Sequence, residues 1–457
     1  MSTPPGSPID RDRLQGLMDR ELGAFADARP KSAAAWERTK RSWLGGVPMP
    51  WMMRWAGAFP PVMERALGSR VWDVDGHEYI DLCLGDTGAM SGHAPPALVR
   101  AASEQIGHGI TTMLPSQDAA WVGEELTQRF GLERWMLTLT ATDANRAALR
   151  ICRGVTGRSK VLIVSYSYHG SVDETFAVRD EATGATIARE GNVGPPVPVG
   201  ETTVAVEFND LPMLQAALEA GDIACVLMEP AMTNMGIVLP DDGYHAELRR
   251  LTRLHDVPLI IDETHTMSAG PAGCTGAWGL DPDLLVVGKA IGGGIPSGAL
   301  GLSAALAQDA LSRTDHDYED TGGVGGTLAG NALTLAAMRA AMSELLTPQS
   351  YAHTVPLATR FCEGFEAVVA EAGLPWSVTQ LGCRAEYCFL PQMPRNGTQA
   401  HEAGDHELER YLHLHALNRG VMLTPFHNMA LFAPTTTEAD VDRHTEVLRQ
   451  ALADLLG

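Results

Sequence analysis

Two runs of branched aliphatic residues, each followed by a charged side chain, constrain the fold of this chain more than any other feature. Residues 257–261 read Val-Pro-Leu-Ile-Ile and lead into Asp262, and residues 284–287 read Leu-Leu-Val-Val and lead through one glycine into Lys289. Short apolar runs bounded by turn residues are typical of strands buried on both faces. The carboxyl ends of such strands form the edge at which open α/β sheets bind ligands. The sequence therefore predicts that Asp262 and Lys289 reach one site.

Lys289 has the sequence context of a reactive amine. A lysine at the mouth of a buried strand is poorly hydrated, which disfavours the ammonium form and leaves an amine that attacks carbonyls to form a Schiff base. The glycines at 292–294 allow backbone and a flat ligand to approach closely. For an arbitrary lysine, a surface position after a strand would be the better expectation. Asp262 at the same predicted edge reverses that preference.

Strand and helix patterns alternate from about residue 86 to residue 335. The candidate strands lie at residues 136–140, 161–164, 203–206, 223–228, 258–261, 284–287 and 299–302. These seven short strands, separated by helical stretches, predict a mainly parallel, doubly wound sheet. After the first of them, a small-residue turn at 140–145 opens a predicted helix at 146–153. Such a turn is either a helix N-cap or an anion site.

Composition and charge exclude several classes of function. The chain has 457 residues, enough for one large and one small domain, and its formal net charge of −22 argues against a nucleic-acid partner. Its seven cysteines form no CxxC pair, which favours a reducing compartment and argues against structural zinc. No signal peptide or membrane span is expected from the hydrophobic pattern. We therefore expect a cytoplasmic protein with no metal and no membrane partner.

Three motifs together resemble those of class III aminotransferases. They are Leu259-Ile-Ile-Asp-Glu-Thr264, the Gly288-Lys289 step with the glycine-rich run to Gly298, and Gly326-Thr-Leu-Ala-Gly-Asn331. The likeness extends from about residue 45 to residue 456 and is nearest to the branch containing glutamate-1-semialdehyde aminomutase. It implies a fold type I α/β protein with a mainly parallel seven-stranded sheet in a large domain, plus a smaller α+β domain. It also implies pyridoxal 5′-phosphate as cofactor and a homodimer with active sites at the subunit interface.

The expected domain division follows from the same resemblance. An N-terminal arm and part of the small domain would occupy residues 1–85, the large cofactor-binding domain residues 86–335, and the C-terminal small domain residues 336–457.

A hairpin is predicted over residues 70–84, turning at Asp75-Gly76. Helices are predicted at residues 11–26, 331–346, 351–372, 407–418 and 437–456, and an acidic loop at 315–326.

The resemblance assigns the central cofactor roles by position. Lys289 would form the Schiff base and then move a proton as general base and acid. Asp262 would keep the pyridine nitrogen protonated, although a lone aspartate after a strand usually caps a helix. Tyr168, beside His169 in the cofactor-binding set, would stack on the ring, and a core position for this tyrosine is the alternative.

The remaining cofactor contacts depart from the family pattern. The family's phosphate loop reads Ser-Gly-Thr-Glu-Ala where residues 140–144 read Thr-Ala-Thr-Asp-Ala, so Ala141 and Thr142 inherit the phosphate role. Relatives have valine, then glutamine or methionine, at the positions of Thr264 and His265. We expect Thr264 against the ring and His265 near the cofactor's phenolic oxygen, where it would tune the Schiff-base proton or satisfy a local hydrogen bond. Thr327 would reach the phosphate bound by the partner subunit.

Four residues are the candidate substrate contacts. Arg54 lies in a turn-rich stretch with two tryptophans, which is equally typical of a subunit interface and of a substrate pocket. Its guanidinium suits a substrate carboxylate, as an arginine does in this region of the family. Thr87 and Met90 belong to a glycine-rich loop expected to face the pocket. Arg384 is a possible second carboxylate contact, with a surface salt bridge as the alternative.

The predicted activity is transfer of an amino group from a hydrophobic or aromatic amino acid to a keto acid, by a ping-pong mechanism through Lys289. An intramolecular aminomutase of the glutamate-1-semialdehyde type uses the same residues and is the first alternative. An amino-acid racemase on the same fold is a further alternative. A non-catalytic regulator that binds the cofactor would need an additional partner-binding module. The basic patch that such a module would require is absent from the sequence.

Overall fold

The computed structural model describes residues 9–194, 197–312 and 323–457. The predicted acidic loop at 315–326 falls largely outside these residues, as does the beginning of the predicted arm. The chain divides into two compact units. The first comprises the described parts of Met1–Pro95, Gln349–Met393 and Glu402–Gly457, and the second those of Pro96–Pro348 and Pro394–His401. These boundaries differ from the predicted ones at 85 and 335, and residues 394–401 return to the second unit.

The helices and strands have the following bounds in chain order. The helices are α1 Arg11–Ala28, α2 Pro30–Thr39, α3 Pro96–His108, α4 Asp118–Phe130, α5 Ala141–Thr156, α6 Leu211–Glu219, α7 Tyr244–Leu254, α8 Gly273–Trp278, α9 Ala304–Leu311, α10 Ala332–Ala340, α11 Pro348–Glu371, α12 Gly397–Glu402, α13 His406–Asn418 and α14 Glu438–Leu456. The strands are β1 Met63–Leu67, β2 Arg70–Asp73, β3 Glu78–Asp81, β4 Arg134–Thr138, β5 Lys160–Val164, β6 Ala177–Arg179, β7 Thr186–Ala188, β8 Thr203–Val206, β9 Ile223–Met228, β10 Leu259–Asp262, β11 Leu284–Gly288, β12 Gly298–Leu302, β13 Ser377–Leu381, β14 Arg384–Cys388, β15 Val421–Met422 and β16 Met429–Leu431.

The second unit contains a seven-stranded sheet in the order β4-β12-β11-β10-β9-β5-β8. The pairs among β11, β10, β9, β5 and β8 are parallel, and β12 runs antiparallel to both β11 and β4. The mainly parallel seven-stranded sheet predicted from sequence is therefore confirmed, with each strand within about two residues of its expected position.

Alternate residues of the same strands belong to two different apolar clusters. Ile163 and Leu227 pack in one cluster with α5, whereas Leu162 and Val226 pack in the other with α6 and α7. Side chains alternate across a strand, so both faces of this sheet are covered by helices. This double burial explains why the strands appear in the sequence as continuous apolar runs.

The first unit has its own core and two smaller sheets, in the orders β1-β2-β3-β15 and β13-β14-β16. The predicted hairpin is present as the antiparallel pair β2 and β3. Strand β1 was not predicted, because its sequence Met-Glu-Arg-Ala-Leu is mostly exposed and lacks an alternating apolar pattern. In the second unit, the helix predicted at 331–346 ends at Ala340 and is followed by a π-helical turn over Ala341–Leu345.

Two buried histidines make the first unit sensitive to acid. Burial lowers the pKa of His413 on α13 and of His444 on α14 to about 4, from an ordinary value of 6.5. Between these two pH values the unfolded chain binds more protons than the folded chain, so stability falls as the pH falls. Each histidine is expected to contribute about 1.4 kcal/mol per pH unit in this window.

Denaturant unfolding from pH 7 to pH 5 checks this expectation. The variant His444→Gln should lose stability less steeply on acidification than the parent chain, whatever its stability at pH 7. The control is His406→Gln, since the His406 side chain is 66% exposed. Equal pH slopes for His444→Gln and the parent would contradict the assignment.

Candidate active site

Asp262 and Lys289 lie at the same edge of the seven-stranded sheet. Asp262 ends strand β10 and is the register partner of Val286 on the parallel strand β11. Lys289 follows the last residue of β11. Because parallel neighbours end at the same edge, the acid and the amine both emerge at the carboxyl ends of these strands. The edge therefore carries one acidic and one basic side chain from adjacent strands.

The backbone at Lys289 is held in an uncommon conformation. Its φ is 49°, in the left-handed region that costs a residue with a side chain roughly 1–2 kcal/mol. Lys289 opens a tight 3₁₀ turn that ends at Gly292. The preceding Gly288 lies so close to α5 that an added Cβ would be 3.1 Å from the Cβ of Ala141. This close approach brings Lys289 beside the first turn of α5.

The Lys289 amine contacts a histidine from the neighbouring strand's end. Nζ of Lys289 lies 2.9 Å from Nε2 of His265, which follows β10 by three residues. Both side chains are only partly buried. The amine therefore lies within hydrogen-bonding distance of the His265 imidazole.

Asp262 is buried and accepts several hydrogen bonds. Its carboxylate accepts hydrogen bonds from Nδ2 of Asn145 at 2.8 Å and from the backbone N–H of Thr264 at 3.1 Å. It also lies 3.0 Å from Nδ1 of His169. Burial by itself would raise the pKa of Asp262, but the hydrogen bonds from His169, Thr264 and Asn145 outweigh it and hold that pKa below its usual range. The site thus contains a fixed negative charge. Asn145 was not predicted, because its sequence context is that of an ordinary helix start.

The first turn of α5 contains the two residues that were predicted to hold a phosphate. The helix begins at Ala141, not at Arg146 as predicted, so Ala141 and Thr142 are its first residues. Thr140 caps it by accepting the N–H of Asp143. Gly170 has a φ of +75°, and a Cβ there would come within 1.9 Å of the Thr142 hydroxyl oxygen. Free N–H groups and the helix dipole at this end favour a phosphate.

Glu263 anchors the segment that follows Asp262, and it too was not predicted. Its carboxylate accepts the hydroxyls of Thr266 and Thr275 and the backbone N–H groups of Cys274 and Thr275. Burial raises the pKa of this carboxyl, with the hydrogen bonds opposing the shift. The sequence signal was present, since a second acid directly after an apolar strand must find partners when buried.

These groups match the functional parts of pyridoxal 5′-phosphate. If this cofactor were bound here, the Lys289 amine would suit its aldehyde, the Asp262 carboxylate its ring nitrogen and the first turn of α5 its phosphate. Among the described residues, Nε2 of His169, Oγ1 of Thr264 and Oδ1 of Asn145 are buried without a hydrogen-bond partner. Buried polar atoms are normally satisfied, so this cluster of three fits a site for a polar ligand.

Tyr168 and Thr327 are placed less centrally. The Tyr168 ring is half-buried and lies 6.0 Å from the ring of Phe176, tilted by 44°. Thr327 is exposed, in the turn at residues 327–330. Their predicted roles, in stacking on the cofactor and in contacting a partner's phosphate, remain predictions.

The four candidate substrate contacts all belong to the first unit. Arg54 is exposed, with its guanidinium 5.7 Å from the Trp51 ring and 5.3 Å from the Phe426 ring. Thr87 and Met90 are buried. Their predicted contacts with substrate remain predictions.

Arg384 is fully buried and lies 3.4 Å from a carboxylate oxygen of Glu386. Arg384 is thus paired with a carboxylate, but the predicted surface position is wrong. The reason is that strand β14, which begins at Arg384, is buried in the core of this unit.

The chain is similar to known proteins over most of its length. The model of the family described as aminotransferase class-III matches residues 51–452. A curated glutamate-1-semialdehyde 2,1-aminomutase 2 of Halalkalibacterium halodurans is 33% identical over 431 residues, covering 93% of this chain and 98% of the relative. The crystal structure of a glutamate-1-semialdehyde-aminomutase from Pseudomonas aeruginosa PAO1 is 50% identical with a TM-score of 0.94, covering 98% of this chain and all of that one.

Two further structures add detail. A lysine-to-alanine variant of the Pseudomonas protein, in complex with PMP, is 49% identical with a TM-score of 0.94, covering 98% of this chain and 100% of that one. A β-phenylalanine aminotransferase from Variovorax paradoxus is 26% identical with a TM-score of 0.82, covering 96% of this chain and 97% of that one. The fold is thus shared by proteins named for two different reactions.

Proposed function

The chain belongs to the class-III aminotransferase family of pyridoxal-phosphate-dependent enzymes, and we propose that within this family it is an intramolecular aminomutase. The proposed reaction moves the amino group of glutamate-1-semialdehyde from carbon 2 to carbon 1. The observation that carries the proposal is the 50% identity and TM-score of 0.94 to a solved aminomutase over nearly the full length of both chains. The sequence analysis predicted amino transfer to a keto acid and gave the aminomutase as its first alternative. The proposal reverses the order of these two activities.

The residues of the site have distinct tasks in either reaction. When bound, the cofactor supplies an aldehyde that takes up amino groups and a ring that withdraws electrons. Lys289 would hold the cofactor through its Nζ and would serve as the group that moves a proton at the substrate carbon. Asp262 holds a proton at the ring nitrogen with its buried negative charge. The first turn of α5 would hold the phosphate, with the N–H groups of Ala141 and Thr142 as donors.

A second candidate is an aminotransferase acting on an apolar or aromatic amino acid. The observation that favours it is the placement of Arg54, whose guanidinium lies near two aromatic rings that pack edge to face at 5.4 Å. A carboxylate-binding arginine flanked by Trp51 and Phe426 suits a substrate with an apolar side chain.

We also propose a homodimer. Its support is a set of exposed apolar side chains on and after α3, where Val99, Ile106, Met113 and Leu114 are 47%, 57%, 78% and 72% exposed. Apolar surface of this kind marks association sites.

A reducing, cytoplasmic setting is proposed because the seven cysteines are free. Among the described helices, none has both the length and the apolar character needed to cross a bilayer.

Stoichiometry distinguishes the two candidate reactions. The purified holoenzyme is given glutamate-1-semialdehyde without any keto acid or second amino donor, and product is counted per active site. The aminomutase is expected to turn over many times, because one amino group is taken up for each one delivered and no keto acid is consumed. Product that stops near one equivalent and resumes only with a keto acid would contradict the mutase and favour the aminotransferase. Exchange of enantiomers alone would indicate a racemase.

A β-amino acid provides the matching control. The same preparation is assayed with β-phenylalanine and a keto acid, the pair suited to an apolar-substrate aminotransferase. Turnover is expected to be at least about 100-fold slower than with the semialdehyde. An active site that hydrogen-bonds the polar groups of its substrate rejects an analogue that lacks them by several powers of ten. Comparable rates with both substrates would contradict the proposal.

A further inference from the structure

The contact between His265 and Lys289 restricts where a proton can be. A hydrogen bond between two nitrogens 2.9 Å apart holds one proton, so at least one of the two must offer a lone pair. When the pair carries one positive charge, either the Lys289 ammonium donates to a neutral imidazole, or an imidazolium donates to a neutral amine. The contact therefore joins two protonation states of the pair that differ only in the position of one proton.

The chain on both sides of His265 is held by hydrogen bonds. His265 lies between Glu263, whose carboxylate is fixed by four hydrogen bonds, and the short 3₁₀ helix Thr266–Ala269. A Cβ on Gly273 would come within 2.2 Å of a Glu263 carboxylate oxygen, so this packing depends on a glycine. Holding the neighbouring chain in this way reduces the entropy that His265 loses when it accepts a proton in the correct direction.

We propose that His265 is the proton acceptor and donor for the Lys289 amine. When the amine must attack, an N–H bond of Nζ breaks and an N–H bond forms at Nε2 of His265. When the amine must be protonated again, the same proton returns. No electron is gained or lost. The inference rests on Lys289 being the reactive amine of the proposed function, and it holds equally for the mutase and for the aminotransferase.

The test measures the reactivity of Lys289 in the full chain after removal of the cofactor. Acetic anhydride is the probe, and peptide mass spectrometry gives the labelling rate of Lys289 relative to the exposed Lys31 at pH 7. In His265→Gln, an amide can still form a hydrogen bond but cannot take the proton. The expected rate for Lys289 is at least about 10-fold lower than in the parent chain, because the amine loses its base.

Two further variants make the result decisive. In His265→Ala, added imidazole is expected to restore most of the lost labelling of Lys289, while it leaves Lys31 unchanged. In the control His108→Gln, at the end of α3, the labelling rate should equal that of the parent. An unchanged thermal midpoint shows that each variant is folded.

Parent-like labelling in His265→Gln would overturn the proposal, since a role in positioning alone is met by the amide. Absence of rescue by imidazole in His265→Ala would overturn it as well. Both results are independent of substrate, so they are distinguishable from a failure of the proposed function, which the stoichiometry of the holoenzyme decides.

Discussion

Replacing Lys289 with alanine is expected to lower turnover by about 10³- to 10⁴-fold, the upper part of the range for removal of a general acid–base group. The variant loses both the amine that takes up the cofactor aldehyde and the group that moves the proton at the substrate carbon. Alanine adds no bulk at the tight turn that begins at this residue. The measurements are steady-state rates and the visible absorption of the purified protein, which should lose the yellow colour of the parent.

The control for this variant is Lys31→Ala, whose exposed side chain lies in α2. It should retain both the parent's colour and its turnover. If Lys289→Ala kept the chromophore and the rate of the parent, Lys289 would not be the reactive amine. The assignment of the sheet edge as the active site would then fail with it.

Asp262→Asn is expected to lower kcat by about 100-fold while the cofactor stays attached. The substitution keeps the shape of the side chain and removes the negative charge, and a hydrogen bond to a charged group is worth about 1.5–3 kcal/mol. At about 1.4 kcal/mol for each factor of ten, this corresponds to roughly 10- to 100-fold, and burial of Asp262 favours the upper value. Rates under substrate saturation, together with cofactor content by absorption, make the measurement.

Asp281→Asn is the matched control, because that carboxylate is 57% exposed and pairs with arginines at the surface. Its kcat should remain within about twofold of the parent. A kcat for Asp262→Asn within the same range would show that the charge at this position is not used in the reaction. Loss of cofactor from Asp262→Asn would instead indicate that the carboxylate serves binding.

The sheet was predictable because burial on both faces leaves a direct trace in the residues. A strand such as Ile223–Met228 is entirely buried and must be apolar throughout. The same reasoning predicted that Asp262 and Lys289 reach the same edge of the sheet. The same reasoning did not predict strand β1, because this strand is mostly exposed and its sequence therefore has no apolar pattern.

The boundaries of the anion site were less predictable. The turn at 140–145 contains threonine, aspartate and asparagine, which favour caps and turns as much as helix interiors. The helix nevertheless begins at Ala141, because packing of Ala144, Ala147 and Ala148 outweighs the weak helix preference of the threonine, aspartate and asparagine in its first turns. Asn145 is buried within it and contacts Asp262, a long-range contact that no local pattern indicates.

The sequence alone predicted the architecture and singled out Asp262 and Lys289 at one edge of the sheet, since both depend on periodic burial or on motifs within a short stretch of chain. Only the tertiary structure decided which side chains meet across that edge. Asn145 and His169 reach Asp262, and His265 reaches Lys289, from segments up to 117 residues apart. Such contacts depend on strand order and register, which are set by packing of the whole sheet and not by the residues adjacent in sequence.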